Sequence, residues 1–267
     1  MLTRMSFTIT ISIFLAGLIC FFMFGCADEI VSQRAIASRE LTIVSPSEPS
    51  TTQVDETKSS HAEVQILQVG TFHGDEVSAK SGGVWFGLYS TQNGYELIPS
   101  RITVTAIHDP VVDREDQQTG IMVSVDGPAH PLFLIRGLGN LQIGRVKTLF
   151  SGLTVLTPGE SQSFTLGDDD AYRVVAVGTG NVDSGLQGYK VELFKAQLSQ
   201  VILSYRSTDA AVPSLLWAGD LDRDGQLDLL IDATNHYNLK APTLFLSSMT
   251  EDDNLLQKVA MFFTVGC

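Results

Sequence analysis

Arg101-Ile102-Thr103-Val104-Thr105-Ala106-Ile107 alternates strictly, with Ile102, Val104 and Ala106 on one face and Arg101, Thr103 and Thr105 on the other. A period of two describes a strand with one face buried and one face wet. Working outward, short runs of the same kind recur, broken by Gly, Asp, Asn and Pro. The pattern predicts strands at Glu63–Val69, Val84–Tyr89, Arg101–Ile107, Gly120–Val125, Leu132–Arg136, Ser161–Leu166 and Tyr172–Val177. It predicts further strands at Gly188–Phe194, Gln200–Tyr205, Leu215–Ala218, Leu227–Ile231, Thr243–Leu246 and Val259–Thr264. No stretch carries a helical stripe. Strands at this spacing with turn residues between them predict an all-β body, an antiparallel sandwich or barrel. Trp85 and Trp217 sit inside apolar runs and are expected in its core. The glycines from Gly137 to Gly144 suggest a division into β subdomains at 62–140 and 141–267.

The body is preceded by two segments of different composition. Met1 to Ser6 contains Arg4 and no acid, Phe7 to Gly25 is uncharged and mostly apolar, and Cys26 follows. A basic start, an apolar middle and a small residue before the cut form a secretory signal. Met23-Phe24-Gly25-Cys26 resembles a bacterial lipobox, which implies cleavage before Cys26 and its lipidation. The alternatives are an uncleaved anchor, since about 20 apolar residues span a bilayer, or an ordinary cleaved signal. The lipoprotein resemblance implies a bacterial cell-envelope protein, tethered to the membrane through Cys26. Ala27 rather than Asp after the cysteine leans toward the outer membrane. Residues 27–61 are rich in Ser, Thr, Glu and Pro, a composition expected to form a disordered linker, with Leu41-Thr42-Ile43-Val44 as a stray strand candidate. Cys20, Cys26 and Cys267 are the three cysteines. Cleavage at Cys26 would leave Cys267 alone beside Phe262 and Phe263, where it reads as an unreactive terminal residue rather than a disulfide partner.

The charge narrows the partners. Lys and Arg number 17 and Asp and Glu 30, a net charge of −13, which becomes −14 when Arg4 is removed with the signal. Such a surface argues against nucleic acid and suits divalent cations.

One loop gathers that charge in order. Asp220-Leu221-Asp222-Arg223-Asp224-Gly225-Gln226-Leu227-Asp228 places carboxylates at loop positions 1, 3, 5 and 9 and glycine at 6. Hard oxygen ligands around a sharp turn are what Ca²⁺ requires. Ile231 occupies position 12, where an EF-hand carries Glu, and the flanks read as strands rather than helices. Dockerin modules, which repeat such a loop and keep an acid at position 12, are excluded on the same ground. The nine residues resemble the hairpin loops of FG-GAP/VCBS-type and integrin-like propeller repeats, here in a single copy. The resemblance implies side-chain ligands from Asp220, Asp222, Asp224 and Asp228 and a backbone carbonyl from Gln226, with Ca²⁺ in a structural role. Asp168-Asp169-Asp170 lacks the alternation and the glycine.

Two weaker constellations remain. His73, Asp75 and Glu76 stand in a glycine-bounded turn, with His108-Asp109 and His236 available elsewhere; this set could serve acid–base chemistry or a transition metal, or be an ordinary polar loop. Asn235-His236-Tyr237-Asn238 could contact a ligand or be a plain turn. No Gly-x-Ser-x-Gly elbow, phosphate loop or His-Glu-x-x-His is present. The sequence therefore predicts a calcium-binding envelope protein with a binding or structural role and an unnamed protein or glycan ligand. Its rival is an exported hydrolase that uses calcium for stability.

Overall fold

The structure is a computed structural model that describes residues 63–127, 130–167, 171–251 and 253–266. The signal segment with Cys20 and Cys26, the linker 27–61, Asp168-Asp169-Asp170 and Cys267 lie outside the described residues. The body is all-β. Its strands are β1 (Gln65–Leu67), β2 (Gly70–Phe72), β3 (Val84–Thr91), β4 (Gly94–Ile107), β5 (Gly120–Val125) and β6 (Leu134–Arg136). They continue as β7 (Gly144–Val155), β8 (Ser161–Thr165), β9 (Ala171–Asn181), β10 (Gly185–Lys195), β11 (Leu198–Ser207) and β12 (Ser214–Asp220). The last are β13 (Asp228–Asp232), β14 (Leu239–Lys240), β15 (Pro242–Leu246), β16 (Gln257–Met261) and β17 (Thr264–Val265). A 3-10 turn at Val182–Ser184 joins β9 to β10.

One sheet curls into a nearly closed barrel in the order β1-β6-β3-β4-β7-β12-β13-β15-β16. β4 is long enough to leave it: its first residues pair with β3 and β7, while Ile102–Ile107 pair with β5, which carries β2 on its other edge. Every step along the path is antiparallel. Nine strands joined this way leave the two end strands pointing in the same sense. β1 and β16 thus meet at the seam as parallel neighbours, and no ladder joins them among the described residues. The β6–β7 connection holds the expected boundary near residue 140, and strands from either side share this barrel sheet. The described residues belong to one compact unit.

A second sheet, β11-β10-β9-β8, covers one wall of the barrel. The covered strands are buried on both faces, which explains their continuous apolar runs. In β13, Leu229 and Ile231 point to the second sheet, where they meet Val174, Val191 and Leu193. Leu230 points the other way, into the barrel interior with Leu88, Leu97 and Phe133. β15 repeats this with Phe245 outward and Leu244 and Leu246 inward. Trp85 and Trp217 are both buried in the barrel interior, as their setting predicts. At about 25 cal/mol per Å² of apolar surface, burial of this kind is the main favourable term in the fold.

Candidate metal centre

The loop Asp220–Asp228 is the turn of the β12–β13 hairpin, at the edge of the doubly covered wall. Two features bend it. Gly225 takes φ of 82° and Arg223 φ of 65°, a left-handed region where glycine is unstrained and Arg223 is held by partners. The Arg223 guanidinium donates to Gln142 Oε1 at 3.1 Å and to the Ile143 carbonyl at 3.1 Å. At the base of the loop, Gly219 has no room for a side chain. A Cβ there would stand 2.3 Å from the Lys147 carbonyl oxygen and 2.4 Å from the Trp217 ring.

These turns bring Asp220, Asp222 and Asp224 together, one carboxylate oxygen from each lying within 4.8 Å of the others. Two oxygens each about 2.4 Å from one Ca²⁺ stand at most about 4.8 Å apart, so the spacing suits a shared cation. Asp220 and Asp222 are 8% and 6% exposed, and the Oδ1 atom of each is buried with no hydrogen-bond partner. Buried acceptors without donors are rare and unfavourable. Their other oxygens are occupied. Gly225 N donates to Asp220 Oδ2 at 3.2 Å, and Asn140 Nδ2 donates to Asp222 Oδ2 at 2.9 Å beside the Ser248 hydroxyl. Asp224 accepts from Gln226 N and from the Ser247 hydroxyl, each at 2.8 Å.

Asp228 stands outside that three-carboxylate group and has no exposed surface. Its Oδ2 accepts from Leu221 N at 2.8 Å, and its Oδ1 accepts from Ser247 N and Oγ, each at 2.9 Å. It therefore locks the loop to the β15–β16 connection. Gln226 gives its amide to Asp224, and its side-chain Oε1 accepts from Lys195 Nζ at 3.5 Å. Burial pushes the Asp228 carboxyl well above the ordinary carboxylate value, against the pull of the Ser247 and Leu221 donors, and Asp222 repels its charge. Burial also raises Asp220; the Gly225 amide opposes the shift, and Asp224 and Asp222 add to it. An all-oxygen donor set of this kind suits a hard cation such as Ca²⁺ rather than zinc or copper. The residues present fit the ion that the spacing implies.

Ser247, Ser248 and Asn140 complete the surroundings of the loop and were not singled out in the sequence. Ser247-Ser248 reads only as a polar turn after a strand, and Asn140 is 82 residues from its partner.

The second cluster is built differently. His73, Asp75 and Glu76 line a cleft of about 1380 Å³ at the barrel seam, with β1 and β16 as its walls. His73 Nδ1 is hydrogen-bonded to Asp109 Oδ2. Asp109 is buried, and its Oδ1 accepts from Val111 N at 3.0 Å. Asp109, rather than His108, is thus the residue brought to His73; His108 Nδ1 lies 3.1 Å from the Gln117 carbonyl. Glu76 uses one oxygen for His73 N at 3.0 Å and the other for Val265 N, which commits it to holding the loop. The hydrogen bond to Asp109 raises His73 above its ordinary value, burial opposes the shift, and the charges of Asp109, Glu76 and Asp75 add to it.

His236 lies at the far end of β13 from the Asp220–Asp228 loop. Its Nε2 is 3.0 Å from Asp209 Oδ2, its Nδ1 is 2.5 Å from Asn238 Oδ1, and its ring packs on the exposed Tyr237. The structure brings neither His236 nor His108 to the seam cleft.

The chain matches no family model, no curated protein and no solved structure.

Proposed function

We propose that this chain is a calcium-binding protein of the bacterial cell envelope, lipid-anchored through Cys26, with a binding or structural role for its β body. Asp220, Asp222 and Asp224 would hold the ion directly. Asp228 and Gln226 complete the ligand set that the resemblance to FG-GAP/VCBS-type loops implies. The observation that carries the reading is the pair of buried Oδ1 atoms, on Asp220 and Asp222, that lack any donor inside a three-carboxylate cluster. Ca²⁺ would supply the positive charge those atoms want and relieve the repulsion along the loop. The ion's role is structural, because it ties the hairpin to the β6–β7 and β15–β16 connections that already grip the loop. The anchor rests on Met23-Phe24-Gly25-Cys26 following an apolar segment, and Ala27 favours the outer membrane.

A second reading, an exported hydrolase stabilised by calcium, draws on the His73–Asp109 pair at the seam cleft. Glu76 lines the same cleft, and each of its oxygens accepts from a backbone amide.

Titration calorimetry tests the metal. The full chain, purified in nonionic detergent and stripped with chelator, should bind one Ca²⁺ per chain. Asp222→Ala should weaken binding by about a hundredfold, near 2.7 kcal/mol. Equal heats for the two proteins, or none for either, contradict the assignment.

A further inference from the structure

The groove beside the metal loop carries a charge opposite to that of the rest of the chain. In a protein with 30 acids against 17 Lys and Arg, Arg145, Lys147 and Arg223 line one groove of about 800 Å³. Asp220 is the one carboxylate among its described lining residues. Arg145 and Lys147 are two residues apart on β7 and so project from the same face.

Each cation is positioned by carbonyl oxygens. Arg145 Nε donates to the Asn93 carbonyl at 3.0 Å, Lys147 Nζ to the Leu166 carbonyl, and Arg223 Nη2 to the Gln142 carbonyl at 3.3 Å. Across the ladders Arg145 faces Glu96 and Lys147 faces Asp220. Among the described residues, none of the three cations forms an ion pair. The carbonyls hold the cations in place without neutralising them, while Glu96 and Asp220, opposite Arg145 and Lys147, offset part of their charge. Three such charges, held in advance, make an electrostatic trap for an anion. Arg145 gives Nε and Nη2 to the Asn93 carbonyl, and Arg223 gives Nη1 and Nη2 to Gln142 and Ile143, so an anion would meet their remaining N–H groups. Half-buried Tyr95 and Phe150 give the groove an apolar flank. Its volume is that of a small-molecule site.

We propose that this groove binds a phosphomonoester on a sugar-sized molecule, and that Ca²⁺ in the adjoining loop strengthens the binding. The second half of the proposal rests on the metal reading. Asp220 belongs to both sites, and the clustered carboxylates of Asp220, Asp222 and Asp224 would repel an incoming phosphate. A bound divalent cation would cancel much of that repulsion. By linkage the phosphate must then tighten calcium by the same factor.

The test is calorimetry on the full chain in nonionic detergent, with glucose 6-phosphate as probe and glucose and glucuronate as comparisons. With Ca²⁺ present, glucose 6-phosphate should bind, glucose should not, and glucuronate should bind at least about fivefold more weakly. Chelation should weaken the phosphate by about tenfold. Arg145→Gln and Lys147→Gln should each weaken it by about fivefold or more, with melting temperatures unchanged as the check on folding. No heat with glucose 6-phosphate overturns the site, as does undiminished binding in an Arg145→Gln, Lys147→Gln double variant that melts normally. Glucuronate binding as tightly overturns the phosphomonoester assignment. Phosphate binding that ignores Ca²⁺, in a chain that takes up no Ca²⁺ when titrated alone, sinks the metal reading and leaves the phosphate site standing.

Discussion

Asp228 shows what a single residue contributes to the site: fully buried, it accepts from the Leu221 and Ser247 amides and shares the Ser247 hydroxyl with Asp224, fastening the loop to the β15–β16 connection. The acidic spacing of the loop is visible in the sequence because all its members lie within nine residues. Ser248 and Asn140 are invisible there, being 26 and 82 residues from Asp222; only the fold makes them neighbours. The same holds at His73, whose partner Asp109 is 36 residues away. That pair makes a prediction about pH. The hydrogen bond from His73, with help from the Val111 amide, lowers Asp109, and the same bond raises His73. A raised histidine stabilises the fold fully below its unfolded pKa, about 6.5, and loses that contribution as pH rises through its higher folded value. A lowered aspartate contributes above about 3.8 and loses its share as pH falls through its folded value. Between about pH 6 and pH 9 the melting temperature of the native chain should therefore fall more steeply than that of His73→Gln. Parallel slopes in a thermal melt series would mean that the pair does not couple to folding.

Among the elements, strands with an unbroken apolar run or a clean alternation were readable, and β5, β9, β12, β13, β15 and the second half of β4 follow from pattern alone, while residues 94–100 of β4 do not. β7 did not. Its Gly144-Arg145-Val146-Lys147 start interleaves cations with a single buried Val146, and Gly152 interrupts its second half. Yet β7 joins β4 to β12, supplies the Thr148 hydroxyl for the Trp217 indole at 3.0 Å, and carries Arg145 and Lys147. The reason is physical: one side of β7 faces the groove, so its charges serve that surface and blur the period. The stretch 137–144, read as a boundary, also grips the Asp220–Asp228 loop through Asn140 and Gln142. Gly219 is the other half of that junction. Lacking a side chain, it lets β12 approach β7 closely enough to launch Asp220 into the loop.

At the scale of the molecule, the all-β body was legible, and the topology was not. Nothing local in a sequence counts strands around a barrel, so the odd number and the parallel seam between β1 and β16 emerge only in three dimensions. The large cleft lies at that seam, where the ladder stops. The Asp220–Asp228 loop sits on a different part of the barrel, gripped by connections that arrive from two distant stretches of chain. The proposed anchor has its own test: metabolic labelling with a fatty acid should mark the native chain and be lost in Cys26→Ala, and label persisting in the variant would refute lipidation there.

The proposed ion would couple to folding. A ligand that binds only the folded state stabilises it by about 2.7 kcal/mol at a hundredfold excess over Kd, which for a body of this size raises the melting temperature by about 5 to 10 °C. The decisive measurement is a calorimetric melt of the chelator-stripped full chain with and without millimolar Ca²⁺, beside Asp222→Ala. A rise of that size in the native chain, smaller with Mg²⁺ because that ion demands a tighter octahedral shell, and largely absent in Asp222→Ala, is the result expected. Melting curves that Ca²⁺ leaves unmoved would contradict it.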